Sequence, residues 1–213
     1  MATWLTHLRA AEKALDMLDG LSRAEFYAGN VAPDCGEMTP AGFDPPSEVT
    51  HLSSPRKDDC DWRGFAAEYL PKARGQRQRS FILGYVSHLI TDIAWSGEFC
   101  PAAKRRFPEL YASDKEGFWR MVKRQWHGVD CVFLVQRPDF APLAEMAAAQ
   151  RRDCDILPFY TKNNVLRGVR RIGRYYERLE KRCGEFTVIT PEEVERFTVR
   201  TAGEAARELE SLL

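Results

Sequence analysis

An all-α domain with one long structured loop is the fold class that the sequence predicts. Apolar residues recur at helical spacing through most of the chain, and the only β-like segment, residues 186–189, is too short to found a sheet. The chain has 213 residues, of which 44% are hydrophobic, and this suits one domain with a sizeable core. We therefore expect a single multi-helix domain over residues 1–213.

The helices follow from the spacing of apolar residues and from the residues that stop helices. The first predicted helix ends at Gly20, and a second, short helix over residues 22–28 is predicted to stop at Gly29 and Asn30. In the first helix, helical spacing relates Leu5, Leu8, Ala11, Leu15 and Leu18. Further helices are predicted over residues 62–69, 78–95, 101–112, 114–135, 141–151, 163–183 and 191–212.

Residues 31–59 form the long loop, because prolines and glycines interrupt every periodic pattern there. Loops of this length inside a compact domain are either functional or disordered. Phe43, Val49 and Leu52 are apolar residues that a mobile loop would expose to water. We therefore expect this loop to pack against the domain and to be structured.

The charge balance and the cysteine content restrict which binding partners and which cellular compartment are expected. Lys and Arg together number 31, as do Asp and Glu, and this balance does not favour duplex nucleic acid as a partner. The six cysteines are scattered without a C-x-x-C pair, which predicts neither a disulfide framework nor a cysteine zinc finger. The first 13 residues carry charges where a signal peptide needs an apolar run. A soluble, reduced, cytoplasmic protein is the expectation.

His88 and Asp92 are the most informative residues, because they lie four apart in an almost wholly apolar stretch, residues 81–95. That spacing places both side chains on one side of a helix, and a buried carboxylate requires a compensating partner. A neutral imidazole beside a carboxylate is a ligand pair that zinc prefers. A private His–Asp pair in the core is the alternative, and the spacing alone does not decide between the two.

Three further residues offer the same chemistry. His7 lies on the first helix, Asp34 follows a proline at the start of the long loop, and His51 lies later in that loop. Each has an ordinary explanation by itself. Together with His88 and Asp92 they provide three imidazoles and two carboxylates, which are enough ligands for two zinc ions.

In this order the residues resemble a family, the bacterial zinc-dependent phospholipases C, which are related to the zinc-dependent single-strand nucleases. The segments that carry the resemblance are residues 3–7, 29–34, 45–51 and 84–92. It covers roughly the first 135 residues, and the C-terminal helices resemble the family only in architecture. The resemblance implies a phospholipase C/nuclease-like helical bundle with a cluster of metal ions.

Carried over by position, the resemblance implies that Asp34, His51, His88 and Asp92 bind one metal. Asp92 then bridges to a second metal, which His7 and the amino terminus complete. Removal of Met1 would leave an amine at Ala2, five residues before His7. Two zinc ions are therefore predicted.

A third metal site is left open. In the family it takes two further histidines and an acid, whereas only His127 remains here, with Asp130 three residues later. An ordinary surface histidine is an equally good interpretation of His127.

The segment from residue 163 to 183 carries a row of basic residues opposite an apolar stripe. The basic residues are Arg167, Arg170, Arg171, Arg174, Arg178, Lys181 and Arg182. Such a row is most often a solvated helix face. The alternative is attraction of an anionic phosphate or a transient contact with a lipid surface.

The resemblance and the metal chemistry together imply a zinc-dependent phosphodiester hydrolase, in which a metal-activated water attacks phosphorus. Asp34, or another acid that is not a ligand, is the candidate general base, and a phospholipid-like or smaller phosphodiester is the candidate substrate. A single-strand nuclease is a variant of this hypothesis. A non-catalytic protein whose metals only hold the helices together is the alternative from another class.

Overall fold

The protein is described by a computed structural model over residues 2–40, 42–53, 60–160, 163–179, 184 and 186–213. It is an all-α fold, as the sequence predicts, and it also contains one small two-stranded sheet among the described residues. The α-helices are α1 (Trp4–Leu15), α2 (Arg23–Val31), α3 (Ser47–Thr50), α4 (Trp62–Tyr69), α5 (Gln76–Arg106), α6 (Pro108–Ser113), α7 (Lys115–Gln136), α8 (Ala141–Glu145), α9 (Arg151–Cys154), α10 (Asn164–Arg178) and α11 (Pro191–Glu210).

The long loop is structured wherever it is described. It contains a 3-10 helix (Ala32–Asp34), then β1 (Glu37–Thr39) antiparallel to β2 (Gly42–Asp44), and then α3. The expectation that residues 186–189 are the only β-like segment was wrong, because the hairpin lies in the loop and no strand forms at 186–189. Residues 54–59 of the predicted loop lie outside the described residues.

Helix α2 corrects the prediction that Gly29 and Asn30 stop a helix, because it continues through both to Val31. These residues belong to a close helix contact: a Cβ on Gly29 would lie 2.0 Å from the carbonyl oxygen of Phe81 in α5. Gly84 in α5 is the counterpart, since its Cβ would lie 2.0 Å from the carbonyl oxygen of Phe26. Glycine is therefore needed for packing, and α2 lies with its backbone directly against α5.

Helix α5 corrects a second prediction, since it runs without a break from Gln76 to Arg106, where two helices, 78–95 and 101–112, were expected. Pro101 lies inside it and lacks the amide hydrogen that the helix would use. Buried packing of Phe99 and Ala103 on both sides of Pro101 outweighs that loss. Of the helix predicted over residues 101–112, only the part that begins at Pro108 forms a helix separate from α5, namely α6.

The C-terminal third differs from prediction in two places. The expected helix over 141–151 is divided into α8, a 3-10 turn (Met146–Ala148) and α9, and the backbone amide of Gln150 in the gap donates to Glu25. Helix α10 ends at Arg178, and residues 180–183, which were expected to extend it, lie outside the described residues.

Two buried apolar clusters hold these helices. The larger joins α1, α2, α4, the first half of α5 and α10. The smaller contains Trp95, Phe99, Phe118, Trp126 and Phe197, from the second half of α5, α7 and α11. His88 and Asp92 lie on α5 near the junction of the two clusters. Within the described residues, no helix combines the length and the apolar character needed to cross a bilayer.

Candidate metal centre

His88 is held by the contact between α2 and α5. Its side chain is fully buried, and its Nδ1 atom lies 2.7 Å from the carbonyl oxygen of Asn30 on α2. A carbonyl oxygen only accepts, so Nδ1 carries the hydrogen and donates it. The Nε2 atom then has a free lone pair, and an orienting hydrogen bond of this kind is typical of metal-binding histidines.

His51 is oriented in the same way from the loop. It follows α3, and its Nδ1 atom lies 3.1 Å from the carbonyl oxygen of Ser47. The hydroxyl of Tyr85 on α5 donates to the carbonyl of Thr50, which fixes this part of the loop on the helix. The Nε2 atoms of His51 and His88 lie 3.4 Å apart. Because both Nδ1 atoms donate to backbone carbonyls, two lone pairs face each other in the interior.

Asp92 lies between two sets of nitrogen atoms. Its Oδ1 atom is 3.2 Å from Nε2 of His7 and 3.0 Å from the backbone nitrogen of Ala2. Its Oδ2 atom is 3.7 Å from Nε2 of both His51 and His88. The two oxygens of one carboxylate therefore face two different groups, which is the arrangement that a bridging ligand requires.

His7 and Asp34 approach the cluster from opposite sides. The His7 ring stacks on the His88 ring with 3.8 Å between centroids and 8° between planes. Oδ1 of Asp34, in the 3-10 helix, lies 3.4 Å from Nε2 of His51. All five residues that the sequence analysis placed at the two predicted metals thus lie together.

The protonation of the cluster follows from its burial. Burial lowers the pKa of His88 to about 3, so this imidazole is neutral at physiological pH. For His51, burial acts in the same direction but Asp34 outweighs it, and the pKa is raised. Burial would raise the pKa of Asp92, but the contact with His7 outweighs it and holds the pKa well below its usual range. The pKa of Asp34 is also lowered, because His51 and His88 outweigh its burial.

The donor set fits metal ions. His7, His88 and Asp92 form one group of three ligand atoms within 4.8 Å of one another, and Asp34, His51 and His88 form a second. Two ligands of one tetrahedral zinc lie about 3.3 Å apart, since each bond is about 2.0–2.1 Å long. The separations of 3.2 to 3.7 Å in the cluster match that spacing. Both ring nitrogens of His7 are buried without a hydrogen-bond partner, and a bound ion would satisfy one of them.

Asp130 and His127 are arranged differently. Asp130 is fully buried, and its two oxygens accept hydrogen bonds from Thr3 (2.8 Å) and Tyr176 (3.0 Å). His127 is partly exposed, with Nδ1 3.3 Å from the Tyr175 hydroxyl and 3.8 Å from Asp130. Neither residue belongs to a three-ligand group among the described residues. A third metal at His127 and Asp130 stays a prediction, whereas the contacts of Asp130 fix the start of α1.

A cavity of about 1050 Å³ opens beside the cluster. Ala2 and Asp34 line it, and apolar side chains form most of its wall: Trp4, Met38, Phe43, Cys100, Pro101, Trp119 and Trp126. Its basic lining residues are Lys104, Lys123 and Arg171, and His127 also faces it. A small molecule could therefore reach the carboxylate of Asp34 from an apolar chamber.

Several residues that orient the cluster carry no sequence signal for this role. Asn30 contributes a backbone carbonyl, which no sequence pattern marks. Tyr176 belongs to the apolar stripe of the segment 163–183, yet its hydroxyl accepts from the backbone amide of Leu5 (2.9 Å) and so helps to hold α1. Arg171 was assigned to a solvated face, yet it lines the cavity.

Comparison with known proteins gives one family. The model of the family described as zinc dependent phospholipase C matches residues 6–96. Neither the curated proteins nor the solved structures gave a match. The matched segment contains His7, Asp34, His51, His88 and Asp92. Over residues 6–96 the chain is thus a match to the zinc dependent phospholipase C family, and the resemblance predicted from its sequence is confirmed.

Proposed function

We propose that this protein is a zinc-dependent phosphodiester hydrolase resembling phospholipase C. The observation that carries the proposal is the convergence of two three-ligand groups, which share His88, beside an apolar cavity that Asp34 lines. We assign Asp34, His51, His88 and Asp92 to one zinc ion, and Asp92 and His7 to a second. Zinc ions in such a cluster supply Lewis acidity and a water that is acidic enough to lose its proton near neutral pH.

The chain's own residues have separate roles in this proposal. His51 and His88, fixed through their Nδ1 atoms, present Nε2 lone pairs without rearrangement. Asp92 supplies the negative charge that two neighbouring dications need. Asp34 faces both His51 and the cavity, so a proton leaving the attacking water is within its reach. A carboxylate that binds zinc is a weak base, and we therefore assign Asp34 first as a ligand.

The amino terminus belongs to the same proposal. The backbone nitrogen of Ala2 lies 3.0 Å from Oδ1 of Asp92, beside His7. Removal of Met1 would turn this nitrogen into an amine with a lone pair, and we propose that it completes the second zinc site. The mass of the purified chain, compared with its zinc content, tests this directly: chains that retain Met1 should hold less zinc.

The apolar cavity favours a phosphodiester with an apolar arm, such as a phospholipid. Single-strand nucleases bind bases by stacking on aromatic side chains. Trp119, which is partly buried, lines the cavity, so a nuclease is retained as the second candidate. Trp95 and Trp126 are packed in the smaller buried cluster and offer little ring surface for stacking. Contact with a membrane surface and a cytoplasmic location stay predictions from the sequence.

Access of the cavity to the cluster argues against the purely structural role for the metals. A structural zinc is closed by four protein ligands, whereas a catalytic zinc keeps a position for water or substrate. Asp34 lines the cavity, so a small molecule can approach the first zinc site, and the second zinc is assigned only Asp92, His7 and the amino terminus, which leaves a position for water or substrate.

The proposal is tested with protein purified without chelator and supplied with zinc. Metal content per chain is measured together with hydrolysis of a bis-aryl phosphate, an aryl phosphocholine and single-stranded DNA at neutral pH. Asp92→Asn should lose zinc at both assigned zinc sites, and all turnover with it. Asp153→Asn, which also alters a buried carboxylate but lies on α9, should keep its zinc and its turnover. Zinc binding without turnover of any substrate would favour the non-catalytic alternative.

A further inference from the structure

Arg171 is a basic side chain on the cavity wall that contacts a residue of the metal cluster directly. Its Nη2 atom donates to the backbone carbonyl oxygen of Asp34 over 3.0 Å. It lies on α10, outside residues 6–96, so the family match assigns it no role. Arg171 and Asp34 line the same cavity.

A close helix contact sets this position. Gly168 lies one turn before Arg171 on the same side of α10, and a Cβ there would lie 2.4 Å from Sγ of Cys35. The helix therefore approaches the chain at residue 35 as closely as glycine allows. Residues three apart on a helix share a face, so the same approach brings Arg171 to Asp34.

The charge of Arg171 is not neutralised by its tether. A carbonyl oxygen takes one of five guanidinium hydrogens and carries no formal charge, so donors remain for a ligand. Among the described residues, no acidic side chain lies within 4.0 Å of its guanidinium nitrogens. Arg167, on the same helix, is by contrast paired with Glu37 at 2.6 Å, and Arg174 is exposed and donates to the carbonyl of Arg170.

We propose that Arg171 binds the non-bridging oxygens of the substrate's phosphoryl group as it lies on the metal cluster. The inference rests on the proposed function and adds a substrate-binding residue to it. A planar guanidinium matches two phosphoryl oxygens, and a half-buried, tethered one needs little reorganisation to do so. A permanent cation at this wall also provides charge that does not depend on a third metal at His127 and Asp130.

Phosphate binding tests the inference apart from turnover. Inorganic phosphate is titrated calorimetrically into the zinc-loaded wild type, Arg171→Gln, Arg171→Lys and Arg174→Gln, with zinc content measured for each. Loss of a charge-assisted contact should weaken phosphate binding about tenfold or more in Arg171→Gln. Arg171→Lys should have an intermediate affinity for phosphate, because it keeps the positive charge but lacks the planar guanidinium that can bind two oxygens at once. Arg174→Gln removes the same charge from the same helix and should stay within about twofold of wild type.

The outcomes separate this inference from the proposed function. Unchanged phosphate affinity in Arg171→Gln, or no phosphate binding by the zinc-loaded wild type, would overturn the role of Arg171. Loss of zinc from both Arg171 variants would also overturn it, because the residue would then act only by holding Asp34. Phosphate binding that depends on Arg171, in a protein that hydrolyses no diester, would support the anion site and reject the hydrolase.

Discussion

Zinc should raise the melting temperature of the metal-free protein substantially, because the candidate ligands come from separate parts of the chain. His7 lies on α1, Asp34 and His51 in the loop, and His88 and Asp92 on α5. An ion bound by all of them stabilises only the folded chain. At free zinc one hundred times the dissociation constant, one site contributes about 2.7 kcal/mol. In a chain of this size each kcal/mol shifts the melting temperature by about 2–4 °C. One filled site therefore predicts a rise of about 5–10 °C, and a second site a larger one.

The measurement is thermal unfolding followed by circular dichroism at pH 7, on protein stripped by chelator and verified by mass spectrometry to be free of metal. Zinc is then titrated back. Magnesium at the same concentration is the control and should have little effect, because imidazole ligands do not suit it. In His88→Ala the shift caused by zinc should become smaller, since His88 is assigned as a ligand of one of the two zinc ions. Identical melting curves for metal-free and zinc-supplied wild type would refute the metal centre and leave a buried His–Asp cluster.

Three further perturbations test the structure. Gly29→Ala should lower the free energy of unfolding, measured by denaturant titration, by about 1–3 kcal/mol or more, because the new Cβ would meet the carbonyl of Phe81. Gly203→Ala is the control: space is open around that residue, so the change should be neutral or stabilising. Asp130→Asn should lower the affinity for zinc without removing the site, since the substitution loosens the start of α1, the helix that carries His7. Competition with a chromogenic chelator measures this affinity, and an unchanged value would contradict the prediction. Metal-free protein should lose stability as the pH falls from about 6.5 towards 3. In that window the unfolded chain binds a proton at residue 88 that the folded chain, with the pKa of His88 near 3, does not. A melting temperature that is constant between pH 7 and pH 5 would count against the burial of His88.

The candidate site was more accessible to sequence reasoning than the helix boundaries were. His88 and Asp92 stand out because a polar pair in an apolar helix has few explanations, and the order of His7, Asp34 and His51 matched a known family. The predicted helix ends were wrong where tertiary contacts outweigh the local conformational preference of a glycine or a proline. Gly29 marks a stop in isolation, yet it serves as a close contact with Phe81, and Pro101 is tolerated because buried neighbours on both sides hold the helix. A hairpin of two three-residue strands is too short to give a period-2 signal.

Residues far apart in sequence complete the site, and this is why a family match over residues 6–96 describes only part of it. Tyr176 on α10 accepts from the backbone of Leu5 and donates to Asp130 on α7, and Asp130 in turn accepts from Thr3. Thr3 caps α1, so this chain of hydrogen bonds fixes the turn from which His7 enters the cluster. Arg171 precedes Tyr176 by five residues on the same helix, and its hydrogen bond to the carbonyl of Asp34 reaches another part of the cluster. Helix α10 therefore contacts both flanks of the metal centre, and a variant that shifts this helix should alter zinc affinity and phosphate affinity together.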